Sequence, residues 1–333
     1  MNIKALLIGS AAALAVVSGA RAADAVVAAE PEPMEYVRVC DAYGTGFFYI
    51  PGTETCLKVG GLVRYEKVWD KWSGFNSGYY NHTRARLELT AKNDSEWGTV
   101  SSWMRLEFDQ WDNAAHTANT YFTFGIGGLE FSNFESQWVR FMDYYGRTDW
   151  GGNYGYQMRQ QISYTASFDS VSAIISLEHD RNMNPEDPLN LGGTDSKYMP
   201  DVVAGVKGTF GDWTVAGAAA WDESDESFAI AKRVSGNLGM FGVSLSGLYS
   251  NSWTNSYFGY DGWSVIASAS AAVTESVSLA ADVQFWDDGS YLVIGDVAWN
   301  VASGFDVLVE AAYQDYDNGP NYKYGMLRFQ RSF

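Results

Sequence analysis

Phe305-Asp306-Val307-Leu308-Val309-Glu310-Ala311-Ala312-Tyr313 carries an aromatic ring at each end, eight positions apart. Val307, Val309 and Ala311 share the parity of the rings, while Asp306, Leu308, Glu310 and Ala312 occupy the other. Side chains alternate faces along a strand, so one face is wholly apolar and ends in a ring on either side. The spacing recurs at Trp213 and Trp221, Phe241 and Tyr249, and Tyr291 and Trp299, with apolar residues or Gly at every second position between them. Eight residues rise roughly 26 Å, or about 20 Å along the membrane normal at a tilt of ~40°. That is close to the lipid-facing band of an outer-membrane barrel with its two aromatic girdles. A soluble sandwich also alternates, but nothing in it requires rings at a membrane-thickness spacing. The pattern predicts an all-β fold, a transmembrane antiparallel β-barrel.

The two ends of the chain agree. Residues 1–4 form a positive start, residues 5–17 are apolar apart from Gly9 and Ser10, and Ala20-Arg21-Ala22 is a small-x-small cleavage site. This predicts a signal peptide over 1–22, removed to leave Ala23 first. The competing reading, a membrane anchor, suits the run less well because it is short for spanning. No later stretch has the ~18 apolar residues of a spanning helix, so any membrane crossing is by strands. At the other end Phe333, Phe329, Leu327 and Gly325 share one parity, and Ser332, Gln330 and Arg328 the other. The strand ends on an aromatic, and Arg331 sits where a basic side chain can snorkel to the interface.

Net charge is −18, and −20 once Lys4 and Arg21 leave with the signal. Such acidity argues against a nucleic-acid partner, which needs a basic patch. Cys40 and Cys56 are the two cysteines, and in an exported chain they are expected to be joined. His82, His116 and His179 are scattered in sequence, with no Cys or second His at ligand spacing, so neither metal nor other cofactor is expected.

Residues 23–56 read as an N-terminal segment that ends in the Cys-closed loop, and 57–333 as the barrel. Alternation and breaker residues predict about sixteen strands: 57–68, 81–92, 97–109, 134–141, 144–149, 160–168, 170–179, 200–209, 212–221, 227–236, 240–250, 262–273, 276–287, 290–300, 304–315 and 322–333. Short connections, such as Asp169 and Phe210-Gly211, alternate with long ones at 69–80, 110–133, 180–199 and 251–261, as barrels require.

Polar parity marks the lumen. Arg64 and Glu66 on the first strand, Arg84, Arg86 and Glu88 on the second, and Arg105 and Glu107 on the third oppose apolar residues. Arg140 does so on the fourth. An Arg facing lipid at mid-depth would cost about 2–4 kcal/mol, so these groups must face inward. They are expected to form a basic wall, unless Arg–Glu pairs simply satisfy one another in a packed interior. Sixteen strands leave a lumen too wide for side chains to fill, so the wall should line water. Asp282, Asp296, Asp306 and Glu310 fall on lumen parity elsewhere. The Gly-rich stretch 146–155, with Arg147, Asp149 and Trp150, either folds into the barrel and narrows it or is an ordinary external loop.

The run Val39-Cys40-Asp41-Ala42-Tyr43-Gly44-Thr45-Gly46-Phe47-Phe48-Tyr49-Ile50-Pro51-Gly52-Thr53-Glu54-Thr55-Cys56-Leu57-Lys58-Val59-Gly60-Gly61 closely resembles the N-terminal signature of the general porins of alphaproteobacteria. Gly146-Arg147-Thr148-Asp149 is similar to the segment entering that family's constriction loop, and Arg328-Phe329-Gln330-Arg331-Ser332-Phe333 to its closing strand. The resemblance implies a homotrimer of sixteen-stranded barrels, each a passive water-filled channel narrowed by its third external loop. The segment 110–133, with Phe124-Gly125-Ile126-Gly127-Gly128, and Trp150 depart from the family pattern.

The expected function is an outer-membrane porin for passive diffusion of small hydrophilic solutes and ions, set among outer-membrane lipid and lipopolysaccharide. The alternative is a non-conducting structural or adhesive barrel. An enzyme would need a nucleophile with a base. Gly242-Val243-Ser244-Leu245-Ser246 resembles a nucleophile elbow, but it lacks the final Gly and lies within a strand. For the trimer, the outward row Val265, Ala267, Ala269 and Ala271 is the expected contact face. A transverse field between the basic wall and Asp149 should sort ions, with the excess acid tipping the balance to weak cation preference.

Overall fold

A computed structural model of the chain describes residues 38–72, 78–112, 116–179, 199–317 and 319–333. The expected signal peptide and cleavage site lie outside the described residues. Within them no helix is long and apolar enough to cross a membrane.

Among the described residues there are seventeen strands. After a two-residue strand β1 (Phe48–Tyr49) come β2 (Cys56–Trp72), β3 (Gly78–Ser95), β4 (Gly98–Trp111), β5 (Thr117–Ile126) and β6 (Leu129–Glu135). A one-turn helix, α1 (Gln137–Arg140), follows. Then come β7 (Met158–Phe168), β8 (Val171–His179), β9 (Asp201–Phe210), β10 (Trp213–Asp222), β11 (Ser227–Leu238) and β12 (Phe241–Ser252). The last are β13 (Tyr260–Ala272), β14 (Val277–Trp286), β15 (Tyr291–Ala302), β16 (Phe305–Asp315) and β17 (Tyr322–Ser332). Each strand from β2 to β17 pairs antiparallel with its neighbours, and β17 returns to β2. The sheet is a closed barrel of sixteen strands, which leaves it no edge in the membrane. Phe333 completes the seam: its N–H donates to the Gly61 carbonyl, and its carbonyl accepts from the Gly61 N–H, both at 3.0 Å.

The parity read from sequence holds on β2, β3 and β4. Val63, Tyr65, Leu87 and Phe108 are exposed on the outside, while Glu66, Glu107 and Asp109 on the same strands are buried inside. Trp221, Tyr249 and Trp263 stand at one rim of the outer surface, and Phe210, Phe241 and Trp299 at the other. Arg331 breaks the outer parity at the strand end and donates to the Ser303 carbonyl in the turn before β16.

The fourth and fifth strands differ from expectation. The segment 110–133, read as a long external loop, contains β5, the hairpin turn and most of β6. Thr and aromatic residues suit a pleated surface, and the Gly127-Gly128 turn is a hairpin signal, with Gly127 at φ +57°. The segments 134–141 and 144–149 are not two strands joined by a turn. Ser136 stops β6 by capping α1, its Oγ accepting from the Trp138 N–H at 3.0 Å. Everything from 136 to 157 is one long loop, the third on the side opposite the short turns.

The Cys40–Cys56 disulfide is formed. It buries both cysteines with Phe47, beside the start of β2.

Candidate functional site

The loop 136–157 folds inward against the wall. Trp138, Val139, Met142, Tyr145 and Tyr154 are buried in one cluster with Val203, Ala216, Ala218, Ala220, Ala229, Ala231, Leu248 and Ile266 from β9–β13. Under the loop the inner face is therefore built of small residues, alanines on β10 and β11 and serines such as Ser244, Ser246, Ser264 and Ser268 on β12 and β13. Trp138 Nε1 donates to the Tyr154 carbonyl at 2.9 Å, tying the two arms of the loop together. Ser246, from the elbow-like stretch, serves the same docking: its hydroxyl donates to the Tyr145 carbonyl at 3.1 Å.

At its root the loop is held by Glu178 of β8. That carboxylate accepts from the Ser136 hydroxyl at 2.6 Å and the Gln137 N–H at 3.0 Å. Glu135 receives Tyr144 at 2.5 Å and Tyr156 at 2.8 Å. Burial, together with the Glu135 carboxylate, pushes both phenols above their usual range, so both stay protonated donors.

The tip is held by a ladder of backbone donors. The N–H of Arg147 donates to Asp282 at 2.9 Å and that of Thr148 to the same carboxylate at 2.9 Å. The Thr148 hydroxyl also donates to Asp282. The next N–H, of Asp149, reaches Asp296 at 3.0 Å, and that of Trp150 reaches Glu310 at 3.1 Å. Four successive N–H groups thus meet three carboxylates on three adjacent strands, β14 to β16. Asp296 and Glu310 lie directly opposite across their strand pair, a like-charge arrangement that is unfavourable alone. The inward N–H groups of the loop supply the compensating positive ends. Asp282, Asp296 and Glu310, read from the sequence as lumen-parity acids, hold the loop. Asp306 sits apart near the turn, accepting from Asn300 at 2.7 Å. Arg147 lies on the loop as expected, but its guanidinium turns to the wall, donating to the Val243 carbonyl at 2.9 Å.

The side chain of Asp149 points the other way, to Arg328 of β17, which it meets in two bonds of 2.5 and 2.6 Å. From there a chain of opposite charges runs across β17, β2, β3 and β4. Arg328 also meets Glu66. Glu66 bonds His82 at 2.5 Å, and His82 bonds Asp109 at 2.7 Å. Asp109 meets Arg84 at 2.6 Å, and Arg84 meets Glu107 at 3.2 Å. Glu107 meets Arg86 at 2.6 Å, and Glu88 meets Arg105 at 2.7 Å. Arg64 lies 3.5 Å from Glu66. Arg328–Glu66, Glu66–His82, Arg84–Asp109, Arg86–Glu107 and Glu88–Arg105 are directly opposed residues in the barrel register.

The expected basic wall is therefore corrected in two ways. Arg64, Arg84, Arg86 and Arg105 do rise from consecutive strands, but each is paired with an acid, so the wall is a ladder of both signs. Arg140 is not on a wall strand. It ends α1 within the loop and clamps Glu130 at 2.9 and 3.0 Å. Arg328, His82 and the Glu135 clamp were not foreseen as site residues. Between loop and ladder, Arg64 on one side and Asp149, Tyr144 and Tyr156 on the other border an open space of about 600 Å³.

The model of the Porin subfamily matches residues 24–328. Porin Omp2b of Brucella neotomae is 37% identical over 368 aligned residues, with all of both chains covered. Porin Omp2a of Brucella suis is 36% identical over 372, again with full coverage of both. Among solved structures, the outer membrane channel DcaP of Acinetobacter baumannii superposes with a TM-score of 0.64 at 14% identity, covering 86% of this chain and 99% of that one. Salmonella typhi OmpF, in complex with daunomycin, gives 0.62 at 10% identity, covering 85% and 99%. These two share the fold, and the family match and the relatives carry the kinship. With its closed sixteen-stranded barrel, the chain belongs to the porin subfamily and is a multi-pass β-barrel porin of the outer membrane.

Proposed function

We propose that small hydrophilic solutes and ions pass through the gap between the loop tip and the Arg–carboxylate ladder, and that these two surfaces set its selectivity. The observation that carries this reading is the tip itself, latched into the lumen by four consecutive N–H groups while Asp149 faces Arg328. The ladder holds five arginines (64, 84, 86, 105, 328) against five acids (66, 88, 107, 109, 149), so it is not the positive surface that would favour anions. The excess acid behind the tip then favours cations weakly. Sugar-loaded liposomes test the sieve: swelling should fall steeply with solute size, and absence of swelling for the smallest sugars would refute it.

The assembly is proposed to be a homotrimer. OmpT of Vibrio cholerae, which shares the fold with a TM-score of 0.57 at 14% identity over 84% of this chain and 100% of that one, is described in a trimer form. Two outer faces on opposite sides of the barrel are alternatives for subunit contact. One is the alanine row of β13, and the other the stacked Phe122, Phe124 and Phe131 on the short strands β5 and β6. Outside the trimer, the aromatic rims would meet lipid and lipopolysaccharide. Native mass measurement in mild detergent should report trimers; monomers alone would refute this.

A further inference from the structure

Beside the passage the loop tip and the wall enclose a second recess of about 480 Å³. Trp150 borders it on the loop, and Tyr316, Tyr322 and Tyr324 on the wall. The Trp150 ring meets Tyr322 and Tyr324 edge-on, with centroids 6.2 and 5.5 Å apart. Its backbone N–H is bonded to Glu310, which fixes where the indole is attached beside the wall. Glu310 and Asp149 supply carboxylates to the lining, and Asn153 and Gln314 neutral amides. Asp296 stands opposite Glu310 across the sheet. The nearby cation, Arg328, is already shared between Asp149 and Glu66.

We infer that this recess is a binding subsite for small organic cations of the alkylammonium class, an assignment that rests on the channel reading above. Four aromatic side chains in an acidic setting fit an ammonium group carrying methyl or methylene groups. The ring faces attract its charge, and the carboxylates set the field. An inorganic cation keeps its water shell and gains little from the rings. A neutral sugar gains from rings and amides but nothing from the excess acid.

Single-channel recording in planar bilayers, with tetraethylammonium chloride added to one side, tests the assignment. Wild-type channels should show concentration-dependent interruptions that maltose at the same concentration does not produce. Trp150→Ala and, on the opposite wall, Tyr316→Leu should each shorten the interruptions by about fivefold or more, while Trp150→Phe retains most of them. Open channels that tetraethylammonium leaves uninterrupted would overturn the subsite. So would interruptions unchanged in both Trp150→Ala and Tyr316→Leu, or longer ones with maltose. Protein that inserts but never conducts would overturn the channel reading instead, which keeps the two failures apart.

Discussion

Asp149 and Arg328 lie 179 positions apart and meet in a two-bond pair inside the barrel. The pair joins the tip of the constriction loop to the closing strand. It exists because the backbone N–H of Asp149 is taken by Asp296, which turns the carboxylate outward to the passage. Asp149→Asn should weaken this link and remove one negative charge from the passage. The reversal potential under a salt gradient should then move toward anions; an unchanged potential would place Asp149 off the conducting path.

Arg84→Ala with Arg86→Ala should do the opposite. Glu107 loses both of its arginines and Asp109 keeps only His82. The freed carboxylates should raise cation preference and the missing side chains should raise conductance. If the double variant changes neither, the arginines do not line the path.

Asp282 is the main latch of the tip, accepting from two backbone N–H groups and one hydroxyl. Asp282→Ala leaves those donors without an acceptor, at about 1–3 kcal/mol for each one kept from water. Open-channel current noise should rise and the loop should become sensitive to protease, with Asp282→Asn restoring much of the wild-type behaviour. A quiet channel in Asp282→Ala would show that the tip is held by other contacts.

Gly155 sits at φ +77°, and a Cβ there would lie 1.6 Å from the Tyr257 carbonyl oxygen. Gly155→Ala should therefore push the returning arm of the loop away from 253–259, costing more than about 1 kcal/mol and altering conductance. Normal conductance with an unchanged melting temperature would contradict the close approach.

Cys40 and Cys56 should show no free thiol when the unfolded, unreduced protein is labelled. Replacing both by Ser should cost about 3 kcal/mol in the chain-entropy model for a loop of this size. Two labelled cysteines in the wild type would refute the bond.

How far the sequence carries can be judged at particular residues. Alternation placed Glu66, Arg84 and Glu107 inside, because strand parity and the cost of charge in lipid leave no other choice. Their pairing was also within reach: 84 with 109, 86 with 107 and 88 with 105 are all centred on the turn at residues 96–97. Reading parity strand by strand, without register, turned a two-sign ladder into a basic wall. The loop was placed too late because 134–141 alternates like a strand, and local pattern does not reveal that Ser136 caps a helix. A second signal lay on β10 and β11, where Ala216, Ala218, Ala220, Ala229 and Ala231 make the inner face as apolar as the outer. A strand that is greasy on both faces has lipid on one side and something else on the other. Arg328 and Asp149 could not be joined from sequence, since their contact depends on how deep the loop descends.

We propose that this barrel encloses a conducting passage narrowed by the loop 136–157. Conductance of the purified protein in a planar bilayer tests it most directly. Stepwise insertion of open channels is predicted, with the step size increased in Asp282→Ala, where the latch is cut. Stable insertion with no conductance in either protein would contradict the account.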